Sequence, residues 1–394
     1  MQTAPVGRRI AAYRRRRGLS QAALAGLVGR SESWLSQVER GLRSVDRLSL
    51  LVDLAKVLHV EVNALTGQPS SVSPRTTLPA DGLSEIRRAF TSYGHLLVQA
   101  EAPIRCTELR ADLARAHAAY QAARYGEVIA ALPGLLDSAD QIRASSEANL
   151  SYVSAYVLAA KLTTKLGVTD LAMLSADRAS GAATNSDSPA AVGLSSYQVA
   201  CALLRAEQPD DAELLAVGMA EQLQGDAKDP ATISTVGALW LIASVIAARK
   251  VDRSSAWDRL DRAEGLASVL GEDGNWLWTA FGPTNVLLHR VSVAAELGDA
   301  GEALRVAQDV EEDRLPRELL SRRAQIQLDL AWALCQRRKD ADAILHLLEA
   351  ERVAPEALRH NIKAQEMIRE MLGRGSRSKT QVLVDIAKRA GLLE

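Results

Sequence analysis

Apolar residues recur at helical spacing along nearly the whole chain, so the pattern predicts an all-α protein. In residues 1–67 it predicts five helices, with the first over Val6 to Arg17, the fourth over Arg47 to Leu58 and the fifth over Val60 to Leu65. Residues 68–81 are rich in Pro, Ser and Thr and have no apolar stripe, which is typical of a linker. Such a linker spans at most about 50 Å, so we expect the parts on either side to reorient independently.

From residue 82 to 373 the helices come in pairs. Loops that end a helix recur at intervals of 41, 41, 42, 48 and 41 residues, marked by Gly126, Gly167, Gln208, Lys250, Gly298 and Lys339. A nearly constant period of two helices predicts a helical solenoid. Residues 374–394 add a last helix, which either caps the solenoid or forms a dimer contact. The 48-residue interval contains Gly274 to Asn285, an aromatic segment that would be either a plug in the solenoid or the wall of a pocket.

The charge is divided unevenly along the chain. Lys and Arg number 47 against 48 Asp and Glu overall, but residues 1–67 hold 11 basic and 5 acidic side chains. We therefore expect the N-terminal part to bind a polyanion. The run Arg14 to Arg17 would either end its helix in solvent, where cations suit the helix dipole, or contact phosphates.

Several classes of protein are disfavoured. The three cysteines lie far apart, which suggests neither disulfides nor a metal site, and no catalytic motif or cofactor fingerprint occurs. The longest apolar run, Val236 to Ala248, is shorter than the roughly 20 residues that cross a bilayer. We expect a cytoplasmic protein that is not an enzyme and has no cofactor, metal or membrane partner.

The segment Gln21 to Arg40 predicts a helix-turn-helix. Ser20 and Ser31 are positioned to cap its two helices, Gly29 lies in the turn, and Gly41 can adopt the left-handed conformation that ends the second helix. A buried stripe of Leu35 and Val38 would leave a polar face outward, made of Glu32, Ser33, Ser36, Gln37 and Arg40. Such side chains read bases or hold phosphates. Trp34 lies beside the stripe and is either partly buried or available to a thymine methyl group.

The string GLSQAALAGLVGRSESWLSQVERG, from Gly18 to Gly41, resembles the Cro/CI-type (XRE-family) regulators. The resemblance implies a five-helix, lambda-repressor-like DNA-binding domain. It also implies that Gln21 contacts a phosphate, that Ser31 to Ser33, Ser36 and Gln37 face the major groove, and that Arg43 contacts the DNA backbone. The family often has a proline shortly after that arginine, and this chain reads Ser44-Val45-Asp46 there.

Segments of the solenoid resemble tetratricopeptide repeats, for example Leu113 to Leu136, although the period exceeds the usual 34 residues. The first helices of such pairs form a concave wall that binds ligands. Polar and aromatic residues predicted on that wall are candidate ligand contacts, and helix packing is the alternative for each of them: Asn149, Tyr152, Tyr156, Gln198, Trp240, Trp276, Asn285 and His289.

Together, the two parts resemble the Rgg/PlcR-like quorum-sensing regulators. That resemblance implies a homodimer on a palindromic operator in double-stranded DNA, and a signalling peptide or small-molecule effector in the solenoid. The alternative is a repeat domain that docks a partner protein and binds no diffusible ligand.

Overall fold

The computed structural model describes residues 6–45, 47–58, 60, 62–66, 80–91, 106–142, 146–374 and 380–393. Within these ranges every regular element is a helix, as the periodicity predicts. The predicted linker, residues 68–81, lies almost wholly outside them, since the next described helix, α6, begins at Ala80.

The N-terminal domain contains the five predicted helices. They are α1 (Val6–Arg16), α2 (Gln21–Leu27), α3 (Glu32–Glu39), α4 (Leu48–Leu58) and α5 (Val62–Thr66). Their core includes Ile10, Leu24 and Leu35, all fully buried. Helix α1 crosses α3 at Gly7, where an added Cβ would lie 1.8 Å from the carbonyl oxygen of Val38. Only glycine permits that approach, which fixes α3 against α1.

Six antiparallel helix pairs follow α6 (Ala80–Thr91). They are α7 (Cys106–Gln121) with α8 (Tyr125–Gln141), α9 (Ser146–Leu166) with α10 (Thr169–Ala183), α11 (Pro189–Arg205) with α12 (Pro209–Leu223), α13 (Pro230–Arg249) with α14 (Arg253–Leu270), α15 (Pro283–Glu296) with α16 (Ala300–Val306), and α17 (Leu320–Gln336) with α18 (Asp340–Val353). Every predicted helix-ending loop falls between the two members of a pair.

One backbone motif closes all six pairs. The turn within each pair contains a residue with positive φ: Ala123, Gly167, Glu207, Val251, Gly298 and Arg338. The next amide donates to the carbonyl five residues earlier, as in Arg124 to Ala119 and Lys339 to Leu334. This is the Schellman arrangement, which satisfies the last carbonyls of the first helix. Four of the six residues carry a side chain, so no glycine spacing marks them in the sequence.

The repeat array closes on itself. The first helices contact one another in order from α7 to α17, and α17 also contacts α7. At this seam the Gly126 amide donates to Oε2 of Glu356 over 3.0 Å, and the Tyr125 ring meets the His360 ring at 5.9 Å between centroids. The helix pairs from α7 to α18 therefore form a ring with the first helices on the inside, and we call the described residues between 106 and 374 the repeat ring.

Three short helices complete the described chain: α19 (Pro355–Arg359), α20 (Ile362–Gly373) and α21 (Gln381–Arg389). A break separates α19 from α20, because Asn361 caps α20 by accepting the Ala364 amide. Helix α21 buries Leu383 and Ile386 in the same core as α18 and α20, and so covers the last helix pair of the ring.

Helix α13 is longer than the apolar run seen in the sequence, because Ala231 to Thr235 continue it. Within the described ranges it is the one helix long and apolar enough to cross a bilayer, with a mean hydropathy of 1.9. The sequence expectation on length is therefore wrong. However, 89% of its most apolar 18-residue stretch is buried inside the protein. A helix apolar on all sides is typical of the centre of a helical domain, so burial explains its composition.

Three histidines of the repeat ring are held neutral. Burial and the nearby Lys161 lower the pKa of His117 well below its ordinary value. Burial, with Arg322 near one ring and Lys165 near the other, lowers the pKa of His289 and of His360 to about 4. In an unfolded chain the same side chains have a pKa near 6.5. Between these values the unfolded state binds more protons than the folded state.

We therefore expect the free energy of unfolding to fall as the pH is lowered from about 7 to about 5, by at most about 1.4 kcal/mol per pH unit for each histidine. Denaturant unfolding followed by circular dichroism measures it. Carboxylates with a lowered pKa, such as Glu296, begin to lose their contribution only below the unfolded value near 4.3. A His360→Phe variant keeps a ring beside Tyr125 and should show a shallower pH dependence. A constant unfolding free energy over this range would contradict the prediction.

Candidate DNA-binding surface and its contacts

Serine caps position the two helices of the helix-turn-helix. The Ser20 hydroxyl accepts the Ala23 amide over 3.0 Å, and the Ser31 hydroxyl accepts the Trp34 amide over 3.2 Å. Gly29 and Gly41 adopt φ values of +65° and +74°. The caps and the two glycine positions predicted from the sequence are therefore confirmed.

Helix α3 has one buried and one open face. Leu35 and Val38 are buried, and Trp34 is 9% exposed, with the Arg30 guanidinium 5.7 Å from its ring centre, so of the two alternatives for Trp34 the structure has burial. The outward side chains match the predicted set: Ser31, Glu32, Ser33, Arg40 and the following Arg43 are exposed, and Ser36 and Gln37 are half-buried. We call this surface the reading face. Its contact with DNA stays a prediction.

Glu39 joins the end of the reading face to the rest of the domain. Arg14 donates to both of its carboxylate oxygens, from Nε over 2.6 Å and from Nη2 over 2.8 Å, and Gln21 donates from Nε2 over 2.7 Å. The planar guanidinium suits this two-point contact. Gln21 keeps one further amide hydrogen for the phosphate that the sequence assigns to it. The pairing of Arg14 with Glu39 was not apparent from the sequence, because the two lie 25 residues apart.

The arginine run joins the domain to the repeat ring. Arg16 donates from Nε to the backbone carbonyl of Glu296 over 2.8 Å, and its Nη2 lies 3.8 Å from the Glu296 carboxylate. Arg17 pairs with Glu370 on α20. The expectation that these arginines end their helix in solvent or contact phosphates is therefore wrong for Arg14, Arg16 and Arg17. Each is held by a carboxylate within the protein.

Backbone contacts make this junction close. A Cβ added at Gly18 would lie 2.3 Å from the carbonyl oxygen of Gln336, and one added at Gly298 would lie 3.0 Å from Cβ of Arg15. We call these contacts, with the two ion pairs, the docking contact. They fix the N-terminal domain on the ends of α15, α17 and α20. The structure thus differs from the expectation that the two parts reorient independently.

Glu296 lies at the centre of the docking contact. Its side chain is 4% exposed and meets Arg249 at 3.0 Å and Lys363 at 2.6 Å, in addition to Arg16. Burial alone would raise the pKa of this carboxyl, but the three cations hold the pKa far below its ordinary value. The carboxylate therefore stays charged at any physiological pH, and the junction is not switched by its protonation.

The candidate ligand residues lie mainly inside the repeat ring. Five are fully or almost fully buried: Tyr152, Tyr156, Gln198, Trp240 and Asn285. Asn149, Trp276 and His289 are half-buried. Tyr156 donates to Asp140 over 2.9 Å and accepts from Arg178 over 2.9 Å, and Arg262 lies 4.8 Å from the Trp240 ring centre. These contacts are those of helix packing. A role of any of the eight in binding a ligand stays a prediction.

The aromatic segment within Gly274 to Asn285 reaches across the ring to α7 and α9. The Trp278 ring stacks on His117 at 5.2 Å, and the Trp278 carbonyl accepts from Lys161 over 2.8 Å and from Gln121 over 3.2 Å. Asn275 and Gln121 exchange two side-chain hydrogen bonds. Leu277 and Trp278 also form one wall of a cavity of about 340 Å³. The segment thus packs inside the ring as a plug and borders a pocket. None of the eight candidate ligand residues lines that pocket.

Comparison with known proteins matches the N-terminal domain. A family model described as a helix-turn-helix domain matches residues 5–65. The HTH-type transcriptional regulator SinR of Bacillus subtilis (strain 168) is 31% identical over 87 residues, which are 22% of this chain and 78% of SinR. SinR of Bacillus licheniformis is 30% identical over 87 residues with the same coverage. Since these features agree with the reading face on α3, the chain belongs to the family of HTH-type, DNA-binding transcriptional regulators.

Proposed function

We propose that this regulator binds a palindromic operator as a homodimer in the cytoplasm, and that an effector bound by the repeat ring changes its affinity for DNA. The observation that carries the proposal is the docking contact. Because Arg16 and Arg17 are held by Glu296 and Glu370, the position of the reading face depends on the ring. The effector would be a signalling peptide or a small molecule, as in the Rgg/PlcR-like regulators with tetratricopeptide-like repeats.

The mechanism we propose follows from the spacing that DNA imposes on the two recognition helices of a dimer. Two recognition helices of a dimer must enter the major groove about 34 Å apart, or at a multiple of that distance. If the N-terminal domain is docked rigidly, the ring determines the distance between the two recognition helices. A small shift at the ends of α15 and α20 would then change that distance. An effector acts by binding one arrangement of the ring more tightly than the other.

A second candidate is a repeat ring that docks a partner protein and binds no diffusible effector. Large apolar side chains are exposed on the outer helices of three pairs: Leu214 on α12, Val269 on α14 and Leu345 on α18. Native mass spectrometry of the protein from its own cells separates the two candidates. A retained mass of a few hundred daltons supports the effector, and a second polypeptide supports the docking scaffold.

For the reading face, we expect Gln37→Ala and Ser33→Ala each to weaken the preference for one base pair by about 1–3 kcal/mol. A binding site is first selected from random duplexes and then altered one base pair at a time, with affinities measured by fluorescence anisotropy. Ser49→Ala, an exposed position on α4, is the matched control. Unchanged base preference in Gln37→Ala would show that α3 does not read the bases.

For Arg43, we expect alanine substitution to weaken binding to all sequences equally and to reduce the slope of log affinity against log salt by about 1. Titrations at several salt concentrations measure the slope. Lys228→Ala, an exposed cation on the repeat ring, should leave it unchanged. If Arg43→Ala altered the preference among base pairs and kept the salt slope, the residue would be a base contact.

For the docking contact, we expect Glu296→Gln to loosen the N-terminal domain, because the neutral amide no longer attracts Arg16. Backbone amides of residues 14–20 should then exchange with deuterium faster in the full chain. Glu213→Gln is the matched control, because Glu213 is also ion-paired with two cations, Lys250 and Arg259, and its side chain is 14% exposed, but it is not part of the junction. Equal exchange in both variants would mean that the docking contact is not maintained in solution.

A further inference from the structure

The cavity beside Trp278 is apolar along most of its wall. Helix α9 contributes Leu150 and Val153, helix α11 contributes Leu194, and the aromatic segment contributes Leu277 and Trp278. Its volume of about 340 Å³ lies at the small end of the range for small-molecule sites. It is too small for an extended peptide of several residues, but it accommodates one aromatic or aliphatic group.

His117 lines this cavity and has a buried ring nitrogen without a partner among the described residues. Its Nε2 lies 3.2 Å from the backbone carbonyl oxygen and 3.0 Å from the hydroxyl oxygen of Ser154. A carbonyl only accepts and a hydroxyl can accept, so with Nε2 donating to Ser154 the other nitrogen, Nδ1, carries a lone pair. The His117 side chain is 1% exposed, and Nδ1 has no partner among the described residues. Leaving a buried acceptor without a partner is unfavourable, and a ligand that donates a hydrogen bond to it would remove that cost.

Among the described residues that line the cavity, the charged ones are acidic. They are Asp187 and Asp229, both exposed, while the cation Lys161 lies near His117 outside the lining and donates to the Trp278 carbonyl. Asp229 is held in place as the cap of α13, where it accepts the amides of Ala231 and Thr232. These hydrogen bonds, with that from the Thr232 hydroxyl, lower the pKa of Asp229 and keep it ionised. The polar lining therefore favours a ligand that donates hydrogen bonds and carries positive charge.

The cavity is joined to the docking contact by one helix. Leu277, Trp278 and Ala280 all have positive φ, which is unfavourable for a residue with a side chain, so the segment that forms one wall of the cavity is strained. Helix α15 begins three residues after Ala280, at Pro283, and its last residue is Glu296, which holds Arg16. A ligand that displaces Leu277 or Trp278 thus acts on the helix that ends at the N-terminal domain.

We propose that this cavity binds a small amine with an apolar body, with its ammonium group toward Asp187 and Asp229 and a hydrogen bond donated to His117. In this role the amine is the effector of the ring, an assignment that rests on the proposed function. The ligand class follows from the volume, the apolar wall and the excess of acceptors.

Calorimetric titration of the full chain tests the site with two probes of similar shape and opposite charge, tryptamine and indole-3-propionate. We expect tryptamine to bind saturably at one site per chain and the carboxylate to bind at least about tenfold more weakly. Asp187→Asn, at an exposed position, should lower the affinity for tryptamine and bring it closer to the affinity for indole-3-propionate. Asp211→Asn, at an exposed acid on α12, should change neither affinity. Equal affinity for the two probes, or no saturable binding of tryptamine, would overturn the proposal.

Two further variants locate the bound probe. Ala231→Trp, at a half-buried position in the lining, should fill the cavity and abolish tryptamine binding. His117→Phe keeps a flat ring against Trp278 but removes the hydrogen-bond acceptor, so it should lower the affinity for tryptamine. Circular dichroism checks that both variants fold. Tryptamine binding that survives Ala231→Trp in a folded protein would place the ligand elsewhere and overturn the assignment.

Operator affinity with and without saturating tryptamine separates this proposal from the proposed function. A changed affinity that Ala231→Trp abolishes supports both. Tryptamine bound in the cavity with unchanged operator affinity would overturn its role as effector and leave the site in place. If tryptamine does not bind in the cavity but α3 still reads bases, the amine site is overturned and the DNA-binding function is left in place.

Discussion

A buried carboxylate with three cationic partners determines how the two parts of this protein are joined. Removing a carboxylate from water costs several kcal/mol, and close opposite charges must offset that cost. For Glu296 the charges come from Arg16 on α1, Arg249 on α13 and Lys363 on α20, three elements far apart in sequence. The side chains of Glu296 and Arg16 are only 4% and 13% exposed, so separating them would leave a buried charge without this partner. The junction therefore selects one arrangement of the N-terminal domain on the ring.

Local chemistry made much of the fold predictable. The serine caps of α2 and α3, the glycine turns and the outward face of α3 depend on residues within one or two turns of each other, and the structure has them as expected. The paired helices were also visible, because helix ends leave a recurring mark at a nearly constant spacing. The match to the helix-turn-helix family model and to the two SinR proteins confirms the helix-turn-helix prediction independently.

Long-range contacts were not predictable in the same way. Apolar periodicity shows that a face of a helix is buried but does not say against what, so residues such as Tyr156 and Trp240 looked available to a ligand although they pack in the core. Nothing in the sequence indicated that Arg16 and Arg17 are ion-paired, because their carboxylates, Glu296 and Glu370, lie hundreds of residues away. The role proposed for His117 could not be predicted from the sequence. It depends on which ring nitrogen is left without a hydrogen-bond partner in the folded protein.

The contact between α17 and α7 has a consequence for how such a chain can vary. An open solenoid lengthens or shortens by whole units, because each unit touches only its neighbours. A ring has no free end at which a unit can be gained or lost without opening the seam where Glu356 meets Gly126. Related chains that keep the seam should therefore differ in the lengths of their loops and outer helices, while the number of inner helices stays at six.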